Sequence, residues 1–205
     1  MNTSEATVFI VDDDAAVRDS IMLMIEQEGF KVQTFQNAED FLAAYNNEIY
    51  GCAVLDIHMS GMDGMQLQQE MSQRNIKLPV IFLTGHGDIP LSVKAIKTGA
   101  VDFLTKPVTR DNLLSSLRSA IVESKRLISQ LANGEVAKSR LADLTERERE
   151  VMALAIVGFP NKEIARRLGI SHRTVEIHKS KIMHKTGATN LLELARIASE
   201  GKPLE

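Results

Sequence analysis

Apolar residues recur in two different ways along this chain. From Thr7 onward, short apolar runs alternate with stretches whose apolar residues return every three or four positions, as at Val17, Ile21, Met24 and Ile25. Short runs of this kind mark buried strands, and the longer period marks one face of a helix. The predicted order is strand Thr7–Val11, helix 15–28 stopped by Gly29, strand Lys31–Phe35, helix 38–45, strand 52–55 and helix 65–73. It continues with strand 78–84, helix 88–97 with Pro90 in its first turn and Gly99 after its end, strand 101–105, and a helix from 109. Five β-α units in strict alternation imply an α/β fold with a doubly wound, five-stranded parallel sheet.

The second half carries only the helical period. Leu113, Leu114, Leu117, Ala120, Ile121, Ile128 and Leu131 extend the helix from 109 to about 131, and Asn133-Gly134 is expected to break it. Thr145 and Glu148 form a capping box for a helix bearing Val151, Met152, Leu154 and Ala155. Asn161 is expected to cap a short helix that ends at Gly169, Ser171 a third that runs to about 185, and Thr189 begins a fourth. Two short helices joined by the glycine turn Leu168-Gly169-Ile170-Ser171 form a helix-turn-helix within an all-α, four-helix unit. The expected domains are therefore 1–122, a helical linker 123–142, and 143–205.

Composition narrows the class. With 205 residues, 44% hydrophobic and 25% charged, the chain has the makeup of a folded globular protein. It shows neither an apolar run of membrane-spanning length nor a signal-like start, which leads to the expectation of a cytoplasmic location. The single Cys52 falls in an expected buried strand and excludes an intrachain disulfide. Charge is unevenly spread: residues 1–120 hold 9 Lys+Arg against 16 Asp+Glu, whereas residues 161–185 hold 7 against 2. An acidic front and a locally basic back suit different partners.

The strand ends carry the chemistry. The first strand stops on Asp12, Asp13 and Asp14, the third on Asp56, the fourth on Thr84, and Lys106 follows the fifth. In open parallel sheets ligands collect at the carboxyl ends of the strands. Carboxylates gathered there repel one another unless a cation neutralises them, and oxygen ligands suit a hard divalent ion such as Mg²⁺. No phosphate-cradling glycine loop follows a strand, so a phosphoryl group must arrive on something other than a bound nucleotide.

Asp12-Asp13, Asp56 followed by Met59 and Gly64, Thr84, and Lys106-Pro107 together resemble the receiver domains of two-component response regulators, which have a flavodoxin-like fold. The resemblance implies that Asp56 accepts a phosphoryl group from a sensor histidine kinase. It also implies that Asp12, Asp13, Asp56 and the backbone carbonyl of His58 hold Mg²⁺, that Lys106 contacts the phosphoryl oxygens, and that Pro107 is cis. Thr84 can swing its hydroxyl onto the phosphate, and Phe103 stands at the family's aromatic switch position. Ser60 departs from the family's usual proline and is expected to loosen the loop after Asp56. The stretches GHGDIP and GAVDFLTKP look like the FixJ-type branch of the NarL/FixJ family, which implies phosphorylation-dependent homodimerisation through residues 89–105. His86 in the first of these is a lone histidine, which is usually not a metal ligand.

The third helix of the back half puts Val175, Ile182 and Met183 on its inner face and Arg173, Glu176, Ile177, Ser180 and His184 on the other, flanked by lysines. Such a face suits the major groove of double-stranded DNA: Ile177 can meet a thymine methyl and Glu176 a cytosine amine. Thr174, Lys179, Lys181 and Lys185 suit phosphates, and Ser180 faces the same way. Residues 144–199 resemble the LuxR-type DNA-binding domain, which places recognition on this helix and dimerisation on the next. The combined expectation is a transcription regulator that binds its operator when phosphorylated, with RNA polymerase as a further partner. No enzymatic role is expected beyond self-catalysed phosphoryl transfer and autodephosphorylation; a phosphatase of the haloacid dehalogenase type wants a second Asp where His58 stands.

Overall fold

The computed structural model describes residues 6–46, 50–85 and 98–201. It divides into two compact units, residues 1–128 and 129–205.

In the first unit, β1 (Thr7–Val11), β2 (Lys31–Phe35), β3 (Gly51–Asp56), β4 (Val80–Thr84) and β5 (Asp102–Thr105) form one parallel sheet in the order β2-β1-β3-β4-β5. β1, β3 and β4 are buried along their whole length, which is why their sequences read as unbroken apolar runs. β2 lies at the sheet edge and is exposed or half-buried along its length instead. Helices α1 (Ala15–Glu26), α2 (Ala38–Ala44) and α3 (Gly64–Gln73) follow β1, β2 and β3. Two apolar layers result. Phe9, Phe41, Leu55, Leu67 and Phe82 fill one, and Ile10, Ile25, Val54, Leu83, Leu113 and Leu117 fill the other. Cys52 lies fully buried in the second layer, and burial pushes its thiol up to about 12. The helix expected over 88–97, with His86 and Pro90, lies outside the described residues.

The expected break at Asn133-Gly134 does not occur. A single helix, α4, runs from Arg110 to Ala142. Its first turns supply Leu113, Leu117 and Ile121 to the first unit, and its last supply Ala137 and Leu141 to the second. A mid-helix glycine costs about 1 kcal/mol, and here it serves a close approach. A Cβ on Gly134 would lie 3.2 Å from the Glu200 carbonyl oxygen, and one on Gly201 would lie 2.7 Å from Leu141 Cδ1. The packing that glycine permits outweighs its poor propensity.

The second unit adds α5 (Glu146–Ile156), α6 (Asn161–Leu168), α7 (His172–Thr186) and α8 (Leu191–Glu200). The Thr145–Glu148 capping box is formed as expected. One expected cap and one expected helix start differ: Pro160, not Asn161, is an N-cap, and the last helix begins at Leu191, not Thr189. Pro160 is the N-cap of α6 without a side-chain bond, which leaves Asn161 Oδ1 to accept from Lys179 Nζ. Asn190 caps α8, while Thr189 binds Glu193. Val151, Ile164, Val175, Ile182, Leu194 and Ile197 make the core. No described helix is long and apolar enough to cross a membrane.

Candidate functional site: an acidic strand edge and a basic helix

Parallel pairing sets the site. Val11 is level with Leu55, Asp56 with Leu83, and Thr84 with Thr105, so the polar residues that end these strands emerge along one edge. Asp12, Asp56 and Thr84 are buried there, and Asp13 is exposed. The three aspartates that follow β1 have separate tasks. Asp12 Oδ1 accepts from the Asp14 N–H at 2.9 Å, Asp13 Oδ2 faces Ser60, and Asp14 caps α1 by accepting from Ala16 at 2.8 Å.

Lys106 Nζ lies 2.6 Å from Asp12 Oδ2 and 2.9 Å from Asp56 Oδ2. Its backbone N–H donates to the Thr84 carbonyl at 2.7 Å, and the Lys106-Pro107 peptide is cis, as the resemblance implied. Burial raises the pKa of Asp12, although Lys106 and the Asp14 N–H work against it. Burial also opposes the charge of Lys106, but its bonds to Asp12 and Asp56 outweigh this and raise its pKa. The Ser60 N–H, with the Ser60 hydroxyl, holds Asp13 below the usual carboxylate range.

Asp12, Asp13 and Asp56 each bring a carboxylate oxygen within 4.8 Å of the others. Among the described residues, Asp12 Oδ2 has no well-formed hydrogen bond, only the ion pair with Lys106. Three converging hard donors with spare lone pairs form an acidic pocket compatible with a divalent metal ion. His58 turns its backbone N–H toward Asp56 Oδ1 at 3.3 Å, and its side chain is exposed. Gly64 closes the loop behind the site: a Cβ there would stand 2.2 Å from the Asp56 carbonyl oxygen. Phe103 is half-buried against the apolar layer that contains Phe82.

Ser60 is the residue whose part sequence reasoning misjudged. Instead of loosening the loop, its N–H and Oγ both donate to Asp13 Oδ2, at 3.0 and 3.1 Å. A hydroxyl in a loop so near three acids was the available signal.

In the second unit α6 and α7 meet through Gly169, whose left-handed φ of 64° makes the turn. Arg147 caps the end of α6 by donating to the Leu168 carbonyl. Val175 and Ile182 of α7 point into the core, and Thr186 joins them. Arg173, Glu176, Ile177, Ser180, Lys181 and His184 are exposed, Ile177 by 45%. The remaining predicted contacts have partners inside the unit: Thr174 with Ser171, Lys179 with Asn161, and Lys185 with Glu148 at 2.7 Å. Arg166 on α6 is exposed, a cation the third-helix pattern could not single out.

A parallel sheet with an acidic pocket and a lysine at its strand edge, and a helix-turn-helix with a basic outer helix, together define a two-domain response regulator. Comparison with known proteins agrees. Residues 8–118 match the response regulator receiver domain, and residues 142–198 match the bacterial regulatory proteins of the luxR family. The chain is 41% identical to the transcriptional regulatory protein FixJ of Bradyrhizobium diazoefficiens over 196 residues, 96% of each chain. It superposes on the response regulator StyR with a TM-score of 0.74 at 36% identity, covering 96% of this chain and 99% of that one. For full-length FixJ from B. japonicum the TM-score is 0.59 at 40% identity, covering 99% and 100%. The chain belongs to the NarL/FixJ family of response regulators, and is a DNA-binding transcription regulator of the two-component type.

Proposed function

We propose that Asp56 takes a phosphoryl group from the phosphohistidine of a partner sensor kinase, and that the modified protein dimerises and binds its operator. The convergence of Asp12, Asp13, Asp56 and Lys106 on one strand edge carries this reading. An Asp56 oxygen attacks phosphorus opposite the departing imidazole nitrogen; the P–O bond forms as the P–N bond breaks. Asp12, Asp13, Asp56 and the His58 carbonyl would hold Mg²⁺, which would supply positive charge at the phosphoryl oxygens. Lys106, already beside Asp56, supplies the second positive charge. Apart from this self-catalysed transfer and its hydrolysis, the chain is not an enzyme.

The added phosphate brings nearly two negative charges beside Thr84 and Lys106. Thr84 turns toward it, and Phe103 moves into the space behind. The resulting dimer contact lies on residues 89–105, of which 98–105 are described; the FixJ-type resemblance supports this part of the reading. Two copies of α7 then reach successive half-sites of cytoplasmic double-stranded DNA, where bound protein can contact RNA polymerase. Ile177 and Glu176 read bases, and Arg173, Ser180 and Lys181 meet the backbone.

Sedimentation of the wild type and Asp56→Asn, with and without acetyl phosphate and Mg²⁺, tests the reading. A monomer-to-dimer shift in the wild type that the variant lacks is expected. No shift in the wild type would overturn the dimerisation step.

A further inference from the structure

We infer that Ser60 is a positioning residue for the divalent-cation site, fixing the Asp13 carboxylate through two hydrogen bonds to a single oxygen. The inference rests on the reading that Asp12, Asp13 and Asp56 bind Mg²⁺.

Asp13 differs from its neighbours in what holds it. Asp12 is buried and locked by the Asp14 N–H and by Lys106, and Asp56 is buried against the His58 N–H and Lys106. Asp13 is exposed, sits at a strand end, and would otherwise sample several rotamers in water. The hydrogen bonds that hold its carboxylate to another segment come, among the described residues, from Ser60, 47 residues away in the loop between β3 and α3. Both converge on Oδ2. A carboxylate offers about four lone-pair directions, so roughly two remain for a cation.

The direction of the effect follows from the gathered geometry. With both Ser60 bonds in place, Asp13 already brings an oxygen within 4.8 Å of those of Asp12 and Asp56. Ser60 therefore holds the ligand in the site and does not draw it away. Partners of this kind, which orient a metal ligand without touching the metal, typically change affinity by about 10- to 100-fold when removed. Exposure of both Ser60 and Asp13 puts the effect here at the lower end. The same two bonds tie the loop that carries the His58 carbonyl to the end of β1, so one residue sets two parts of the site.

Substitutions separate the two donors. Ser60→Thr keeps the N–H and the hydroxyl, Ser60→Ala keeps the N–H alone, and Ser60→Pro removes both. Calorimetric titration of Mg²⁺ into the full-length unphosphorylated chain is expected to give equal affinity for wild type and Ser60→Thr. It should be about threefold weaker for Ser60→Ala and about tenfold weaker for Ser60→Pro. Labelling by acetyl phosphate at saturating Mg²⁺ should then return to the wild-type rate in every variant, because only the occupancy of the site has changed. Should Ser60→Pro fail to fold, the Ala and Thr variants carry the comparison. Equal or tighter Mg²⁺ binding in Ser60→Ala would overturn the role of Ser60, as would a labelling defect that saturating Mg²⁺ does not repair. A wild type that binds no Mg²⁺ would overturn the metal reading itself.

Discussion

Lys185 Nζ lies 2.7 Å from Glu148 Oε2, joining the end of α7 to the start of α5. The same oxygen accepts the Thr145 N–H of the capping box at 2.9 Å. Lys185 first, then Thr145, lower the Glu148 pKa to about 2 from 4.5. A carboxylate whose pKa falls on folding stabilises the fold fully above its unfolded value. That contribution fades as pH drops from about 4.5 toward 2. Denaturant unfolding of the second unit's helices should therefore show an acid-side loss of stability that Glu148→Gln lacks. At neutral pH the variant should be less stable by about 2 kcal/mol, since it loses a charge-assisted bond. An unchanged acid limb in Glu148→Gln would assign the loss to other carboxylates.

Lys106 stands between Asp12 and Asp56, with its ammonium where a cation is needed. Replacing it by Met leaves the acids less neutralised, so Mg²⁺ should bind more tightly, by tenfold or more, since even unit like charges about 4 Å apart repel by about 4 kcal/mol at an effective dielectric near 20. Acetyl phosphate labelling should slow at the same time, because the second positive charge at the phosphoryl oxygens is gone. Calorimetry and labelling read the two effects separately. Weaker Mg²⁺ binding in Lys106→Met would mean that the lysine organises the site more than it competes for it.

Much of this was legible in the sequence, for physical reasons that differ by element. The bounds of β1 and β2 were readable from residues alone, since both strands are short β-rich runs ended by polar or turn-forming residues. The gathering of Asp12, Asp13, Asp56 and Lys106 was legible because parallel pairing forces strand ends to one edge. What escaped depended on contacts between distant segments. The continuity of α4 through Gly134 turns on the approach to Glu200, the part played by Ser60 turns on Asp13, and the use of Lys185 turns on Glu148. In each case local propensity pointed one way and a partner tens of residues off decided otherwise.

Gly64 opens α3 with no side chain because Asp56 lies directly against it. A Cβ would sit 2.2 Å from the Asp56 carbonyl oxygen and 3.0 Å from its carbon, both backbone atoms that cannot swing aside. Gly64→Ala must therefore push α3 away from β3 and move Asp56 with it. The expected cost is about 1–3 kcal/mol of stability, as for other overpacked sites, together with slower phosphorylation of Asp56. At Gly85 an added Cβ meets nothing within 4 Å, so Gly85→Ala serves as the stability control. Matching melting curves for Gly64→Ala and Gly85→Ala would remove the steric argument.

The outer face of α7 separates residues that should read DNA from those that only look able to. Ile177 is 45% exposed and stands outside the apolar core of the second unit among the described residues, and Lys181 is exposed on the same face. Lys185 is committed to Glu148. Binding titrations of the phosphorylated protein over a range of salt should sort the three. Lys181→Ala should weaken binding to all sequences alike and lower the salt slope by about one counterion. Ile177→Ala should leave the slope unchanged but lose discrimination at a single thymine, by about 1 kcal/mol, the low end of what one base position contributes. Lys185→Ala should lower unfolding stability and leave the slope as it was, because its charge is neutralised inside the domain. If Lys185→Ala instead lowered the slope as Lys181→Ala does, the ion pair with Glu148 would have to open on DNA, and α7 would seat one turn further along the groove.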